Sequence, residues 1–190
     1  MPPVAHNSLA VTALIALSRS LISRCSVEAS PCTGAALLGL ALSATSVPAA
    51  LAVITLLRLS LPASMLGTSS AAEVGQYPAP ALLLVATVLG PLYELLVFQF
   101  LPIELLRRVG AGFAACVGIS TLLFGAAHYW NGGLAHGVTS LTLGLPLAYG
   151  YALCRPYGWR PACLVVFTAH AVHNAILVAL GLVFPELARA

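Results

Sequence analysis

Long apolar stretches dominate this sequence and constrain what the chain can fold into. The stretch LVVFTAHAVHNAILVALGLVF, residues 164–184, is long enough to cross a bilayer as a helix, which takes about 20 mostly apolar residues. Over the whole chain 60% of the residues are hydrophobic and 7% are charged, whereas soluble domains carry about 25% charged residues. So few charges could not cover a soluble domain of this size. The sequence therefore predicts an integral, multi-pass membrane protein.

The apolar stretches predict an all-α fold, a polytopic transmembrane bundle of about six helices. The predicted spans cover residues 4–22, 34–61, 79–106, 111–130, 133–153 and 161–184. The first span is the weakest because polar residues interrupt it, and its lack of acids also fits a cleaved targeting segment. In the third span, Pro91 predicts a kink and Pro102 predicts the end of the helix. The sequence YWNGG predicts a tight turn between the fourth and fifth spans.

The charges exclude nucleic acid as a partner and leave the lipid bilayer as the partner that the composition indicates. A net charge of +3 is small and scattered along the chain, whereas nucleic-acid-binding domains concentrate basic residues on one face. Glu104 is spaced to pair with Arg107 and Arg108 at a helix end. The five cysteines form no CxxC pair, so we expect them to be small apolar packing residues.

Polar residues inside the predicted spans are the best indication of a functional site. Glu94 lies in the third span, His128 lies near the end of the fourth, and His170 and Asn174 lie in the sixth. An acid at the bilayer centre costs about 2.5–3.5 kcal/mol on insertion scales, so Glu94 should face the bundle interior or a wet cavity. His170 and Asn174 share one helix face, with His173 beside it. Together these groups could supply a base, a proton carrier and oxyanion donors.

Three short motifs lie on successive predicted spans. They are PLYELLVF (Pro91 to Phe98), FGAAH (Phe124 to His128) and HAVHN (His170 to Asn174). In this order they resemble the motifs of the CPBP family, which comprises type II CAAX prenyl endopeptidases, bacteriocin-processing enzymes and related Abi proteins. The resemblance implies a four-helix catalytic core over residues 79–184. The rest would be an N-terminal segment with the weak first span (1–33), a second span and loop (34–78) and a tail (185–190).

The first motif departs from the family pattern, which has two adjacent glutamates followed by an arginine. With Glu94 as the first glutamate, Leu95 replaces the second and Gln99 replaces the arginine. Gln99 can form hydrogen bonds but cannot hold Glu94 by charge. The second and third motifs, Phe-x-x-x-His and His-x-x-x-Asn, are intact.

The resemblance implies an intramembrane endopeptidase. It would cleave a membrane-associated peptide or protein, such as the C-terminus of a prenylated CAAX protein. Glu94 would draw a proton from a water that His128 shares, and His170 and Asn174 would donate hydrogen bonds to the oxyanion.

The resemblance assigns no cofactor, because the family has been described both as metalloproteases and as metal-free glutamate proteases. If a metal is bound, zinc held by Glu94, His128 and His170 is the arrangement that these residues offer, although no HExxH pair is present. Gln99, Phe124 and His173 are predicted to support the site.

Three other interpretations of these residues remain open. A catalytically inactive relative could keep the fold as a membrane scaffold, with Leu95 and Gln99 marking the loss of activity. A small proton-coupled transporter could use Glu94 and the histidines to pass protons. Intramembrane His and Asn side chains also serve simply to tie helices together. No G-x-S-x-G motif is present, so Ser120 is predicted to be an ordinary packing residue.

Overall fold

The computed structural model describes residues 30–67 and 78–184, and these residues form helices and short connections without any strand. The helices are α1 (Pro31–Ser60), α2 (Ala63–Leu66), α3 (Ala79–Arg108), α4 (Phe113–Cys154) and α5 (Trp159–Val183), with a 3-10 turn at Arg155–Tyr157. Four of them are long and apolar enough to cross a membrane, namely α1, α3, α4 with its 3-10 turn, and α5. The predicted all-α membrane bundle is confirmed.

Helix α4 contains two of the predicted spans. Gly133 has φ 79° and ψ −165°, which breaks α4 into the halves 113–132 and 134–154. Glycine adopts such a left-handed φ without steric penalty. A Cβ on Gly125 would lie 3.3 Å from the Gly137 carbonyl oxygen, and a Cβ on Gly137 would lie 3.1 Å from the Gly125 carbonyl oxygen. The halves therefore fold back on each other as a tight hairpin, and the turn predicted from YWNGG is confirmed.

The count of six spans is not confirmed. The first predicted span, residues 4–22, lies outside the described residues, as do 68–77 and the tail 185–190. The division of the chain at residues 33, 78 and 184 stays a prediction.

Helix α3 continues through both Pro91 and Pro102, so the predicted end near Pro102 is wrong. The helix runs on to Arg108, and π-helical segments occur at Val85–Leu89 and Leu95–Phe100. Proline lacks the N–H group that an α-helix needs. A local π turn, together with polar side chains from neighbouring helices, can satisfy the backbone groups that proline leaves free in a membrane helix.

The end of α3 is tied to the end of α4 by an ion pair. Both guanidinium Nε and Nη2 of Arg155 donate to the Glu104 carboxylate, and the Tyr151 hydroxyl donates to the same carboxylate at 3.0 Å. Glu104 therefore pairs with Arg155. The pairing with Arg107 and Arg108 that its spacing predicted is wrong. The planar guanidinium of Arg155 donates two parallel hydrogen bonds to the carboxylate, a geometry that matches a carboxylate well.

A glycine lets helices α1 and α5 pack closely. A Cβ on Gly39 would lie 2.8 Å from both the Thr168 Cβ and the Val165 carbonyl oxygen. Gly39→Ala should therefore force the two helices apart and destabilise the protein by about 1–3 kcal/mol, as overpacking of a core does.

Gly118→Ala is the matched control, because nothing lies within 4 Å of a Cβ at that helical position. It should leave stability unchanged or raise it by about 0.5–1 kcal/mol through helix propensity. Thermal unfolding of the purified protein in detergent measures both effects. Equal melting temperatures for the two variants would contradict the close packing of α1 on α5.

Candidate active site

One acid and two imidazoles from three different helices converge inside the bundle. Oε2 of Glu94 on α3 lies 3.6 Å from Nε2 of His128 on α4 and 3.6 Å from Nε2 of His170 on α5. Both separations are longer than a direct hydrogen bond, and contacts of this length are commonly bridged by water. The convergence brings three of the predicted catalytic residues together.

The orientation of His128 is fixed by its own helix. Its Nδ1–H donates to the Phe124 carbonyl oxygen at 2.8 Å. A carbonyl can only accept, so in the neutral imidazole the lone pair is on Nε2, the nitrogen that faces Glu94. Nε2 of His128 and Oε2 of Glu94 are therefore both arranged so that they can accept a hydrogen bond from one group placed between them.

The ring of Phe124 packs against both histidines. Its centroid lies 4.2 Å from that of His128 and 5.8 Å from that of His170, and the residue is fully buried. Phe124 thus holds both rings by packing and supplies the carbonyl that orients His128. Its predicted supporting position is consistent with these contacts.

Glu94 lies between the imidazoles and a cavity. The atom Oε2 is buried and has no hydrogen-bond partner among the described residues, while the side chain as a whole is 22% exposed. The cavity has a volume of about 360 Å³. Besides Glu94 and His128, its lining consists of Tyr93, Phe98, Ala127, Trp130 and Asn131. A group entering the cavity could therefore reach the carboxyl group and the His128 ring.

The sequence did not indicate Tyr93, Trp130 or Asn131 as part of this site, nor did it place His136 near it. Tyr93 and Trp130 are exposed at the cavity, at 64% and 83%. Asn131 is three residues after His128, a spacing that puts both on one face of the helix and that could have revealed it. The His136 ring lies 4.9 Å from the His128 ring, because the hairpin of α4 brings the residue back toward the site.

Asn174 and His173 form hydrogen bonds with residues outside the acid–histidine cluster. The side-chain Nδ2 of Asn174 donates to the Ala86 carbonyl oxygen on α3 at 2.8 Å. Nδ1 of His173 lies 2.8 Å from the hydroxyl of Ser46 on α1, and both residues are buried. His173 therefore joins α1 to α5, whereas Asn174 joins α5 to α3 at Ala86, eight residues before Glu94.

The two departures from the family motif are both buried. Leu95 is 3% exposed and belongs to the hydrophobic core. Gln99 is fully buried, and neither its Nε2 nor its Oε1 has a hydrogen-bond partner in the described part of the chain. The surroundings of these positions suit neutral side chains.

The ligand set that the sequence offered for zinc is not formed. Within residues 30–67 and 78–184, no three His, Cys, Asp or Glu side chains are placed so that they could hold a metal ion. We therefore derive no step through a metal from Glu94, His128 and His170.

The described helices define an integral, multi-pass membrane protein with an acid and two histidines gathered inside its bundle. A family model described as type II CAAX prenyl endopeptidase Rce1-like matches residues 76–176, which is more than half of the 190 residues. The chain belongs to this family of membrane proteases, as its resemblance to the CPBP motifs implied. No curated protein and no solved structure matches the chain.

The buried amide of Gln99 generates a prediction on stability. A buried polar group without a partner costs about 1–3 kcal/mol, and replacing it by an apolar group of similar shape removes this cost. Gln99→Met should therefore raise the melting temperature in detergent, whereas Gln99→Arg should lower it by burying an unpaired charge. A lower melting temperature for Gln99→Met would mean that the amide is satisfied in the folded protein, for example by internal water.

Proposed function

We propose that this protein is an intramembrane endopeptidase that hydrolyses a peptide bond with a water activated by Glu94. The observation that carries the proposal is the position of Oε2 of Glu94, 3.6 Å from Nε2 of both His128 and His170, beside a cavity. An unpartnered carboxylate oxygen facing imidazole nitrogens is suited to hold and deprotonate water.

In the proposed reaction, Glu94 accepts a proton from the water as the water oxygen attacks the carbonyl carbon of the scissile bond. The lone pair on Nε2 of His128 accepts the second hydrogen bond of that water and so orients it. The proton held by Glu94 then passes to the amide nitrogen, the C–N bond breaks, and a carboxylic acid and an amine leave. General base catalysis of this kind contributes about 10²- to 10⁴-fold in rate.

His170 and Asn174 are proposed to stabilise the oxyanion of the tetrahedral intermediate. Asn174 lies one helical turn after His170 on α5, and its Nδ2 carries a second hydrogen beyond the one donated to Ala86. Nε2 of His170 faces the same oxygen of Glu94 as His128 does, which places an imidazole beside the attacking water. Donors fixed by burial act strongly on a developing charge because they need not reorganise.

The substrate is proposed to be a membrane-associated peptide or protein, with the C-terminus of a prenylated CAAX protein as the leading candidate. The family to which the chain belongs supports this class. The exposed rings of Tyr93 and Trp130 at the cavity support entry of the substrate there, because aromatic side chains bind peptide segments with little loss of conformational entropy.

A second candidate is an inactive relative that serves as a membrane scaffold. It is favoured by Leu95 and Gln99, which replace an acid and a base of the family motif and are buried as neutral side chains. A scaffold would keep the fold without needing the carboxylate of Glu94.

Replacing Glu94 tests the two candidates directly. Glu94→Gln keeps the shape of the side chain but removes the base, so cleavage by the purified protein should fall about 10²- to 10⁴-fold. The assay uses a panel of prenylated and unprenylated peptides, each with and without a chelator.

Glu104→Gln is the matched control, because it removes an acid of the same helix that is engaged by Arg155 outside the cavity. It should keep cleavage within a few-fold of the wild type. The scaffold would be favoured if neither the wild type nor Glu104→Gln cleaved any peptide, while Glu94→Gln and Glu104→Gln both still complemented a cellular loss of the gene. If the wild type cleaved a peptide without the chelator but not with it, this result would contradict a reaction that needs no metal.

Trp130 provides a test of substrate entry that does not depend on catalysis. The chain has two tryptophans, so Trp159→Phe leaves Trp130 as the only one. In Trp159→Phe/Glu94→Gln, a peptide with a quenching group near its scissile bond should quench the fluorescence of Trp130 in a saturable manner. The same peptide should leave Trp159 unquenched in Trp130→Phe/Glu94→Gln. Equal quenching of the two tryptophans would contradict entry at this cavity.

A further inference from the structure

Two carbonyl groups of α3, one on either side of Glu94, lack their α-helical donors and accept a hydrogen bond from another helix. In the π-helical segment before Glu94, the N–H of Gly90 donates to the Val85 carbonyl. The next residue, Pro91, has no N–H, so the carbonyl of Ala86 receives neither an α-helical nor a π-helical bond. Asn174 of α5 supplies the missing donor at 2.8 Å.

The second such carbonyl belongs to Phe98. Its α-helical donor would be the N–H of residue 102, which is Pro102. The hydroxyl of Ser120 on α4 donates to this carbonyl instead, and Ser120 is fully buried. A hydroxyl that bonds to another helix is a link between the two helices, unlike the more common bond of a serine to the preceding turn of its own helix.

Ser120 begins a stripe of α4 that faces the turn of α3 carrying Glu94. Ser120, Phe124 and His128 are spaced by four residues and therefore share one helix face. Ser120 bonds to the Phe98 carbonyl, the Phe124 ring lies 5.7 Å from the Phe98 ring, and His128 lies 3.6 Å from Glu94. Phe98 and Glu94 are also four residues apart. The two helices thus meet in register over three successive contacts.

We infer that Ser120 is a positioning residue for catalysis, which fixes the proline-opened turn of α3 against α4 so that Glu94 faces His128. This inference rests on the proposed hydrolytic function. Of the three contacts, the one made by Ser120 is the only hydrogen bond, and hydrogen bonds fix direction more sharply than ring packing does. Without it, α3 is no longer tied to α4 at this turn and can rotate or shift by a fraction of a turn. Small displacements of catalytic groups lower rates by about 10²-fold.

Ser120→Ala tests the inference, with Ser43→Ala as the matched control. Ser43 is equally buried, but its hydroxyl donates to Leu40 within its own helix. In the peptide-cleavage assay, Ser120→Ala should lower kcat by about ten- to a hundredfold with little change in KM, and Ser43→Ala should change neither. Equal kcat values for the two alanine variants would overturn the inference while leaving the role of Glu94 intact.

A second variant separates positioning from stability. Pro102→Ala restores a backbone N–H to the Phe98 carbonyl but does not tie α3 to α4. The double variant Ser120→Ala/Pro102→Ala should therefore recover the melting temperature lost in Ser120→Ala without recovering kcat. Recovery of both together would mean that Ser120 acts only on stability, which would overturn the inference.

An infrared measurement decides the inference even if the wild-type protein cleaves none of the peptides. Subtracting the spectrum of Glu94→Gln from that of the wild type isolates the carboxyl band of Glu94. This band should shift in Ser120→Ala and stay in place in Ser43→Ala, because only the first change alters the surroundings of the carboxyl group. An unshifted band in Ser120→Ala would overturn the inference independently of any activity.

Discussion

Polar groups within a bilayer must find their partners inside the protein, and this constraint organises the structure around Glu94. Within residues 30–67 and 78–184, no arginine pairs with the carboxyl group. It is surrounded by two imidazoles and a cavity instead. Placing it there requires α3, α4 and α5 to approach closely, and the hairpin of α4 and the contact of α1 with α5 both depend on glycines that leave no room for a side chain. The backbone of α3 obeys the same constraint, because the carbonyls of Ala86 and Phe98, which lack their α-helical donors beside Pro91 and Pro102, each receive a donor from another helix. The same contacts therefore pack the helices together, satisfy backbone carbonyls and hold the candidate catalytic groups in place.

The departures from the family motif are consistent with a site that is neutral apart from its single acid. An acid at position 95 would enter the hydrophobic core, and an arginine at position 99 would be fully buried. Burying one of these charges without the other would cost several kcal/mol. The proposed mechanism needs neither charge, since the base and the groups that orient water are Glu94, His128 and His170.

Much of the fold and part of the site followed from the sequence, and the reasons for the rest are physical. Apolar length identified the helices that the structure describes, and Gly132–Gly133 identified the turn of the hairpin. The rule that acids in spans face the interior, applied to Glu94, led to the cluster with His128 and His170. The continuation of α3 past Pro102 could not be read from local propensity, because it depends on a π turn and on a hydroxyl from a helix that is distant in sequence. The partner of Glu104 and the contact of His136 with His128 depend on tertiary packing in the same way. Asn131 and Ser120 lie at helical spacings from His128, so a search of that helix face would have found both.

The central claim is that Glu94 faces water inside the membrane rather than lipid. It is tested most directly by the reaction of single cysteines with a small water-soluble thiol reagent, in a chain whose native cysteines have been replaced and which is reconstituted in lipid. Such reagents react with the thiolate, which forms only where water is present. The account predicts that Glu94→Cys reacts readily, while Leu96→Cys, on the 54% exposed outer face of the same helix, does not. Rapid labelling at position 96 with none at position 94 would contradict the account.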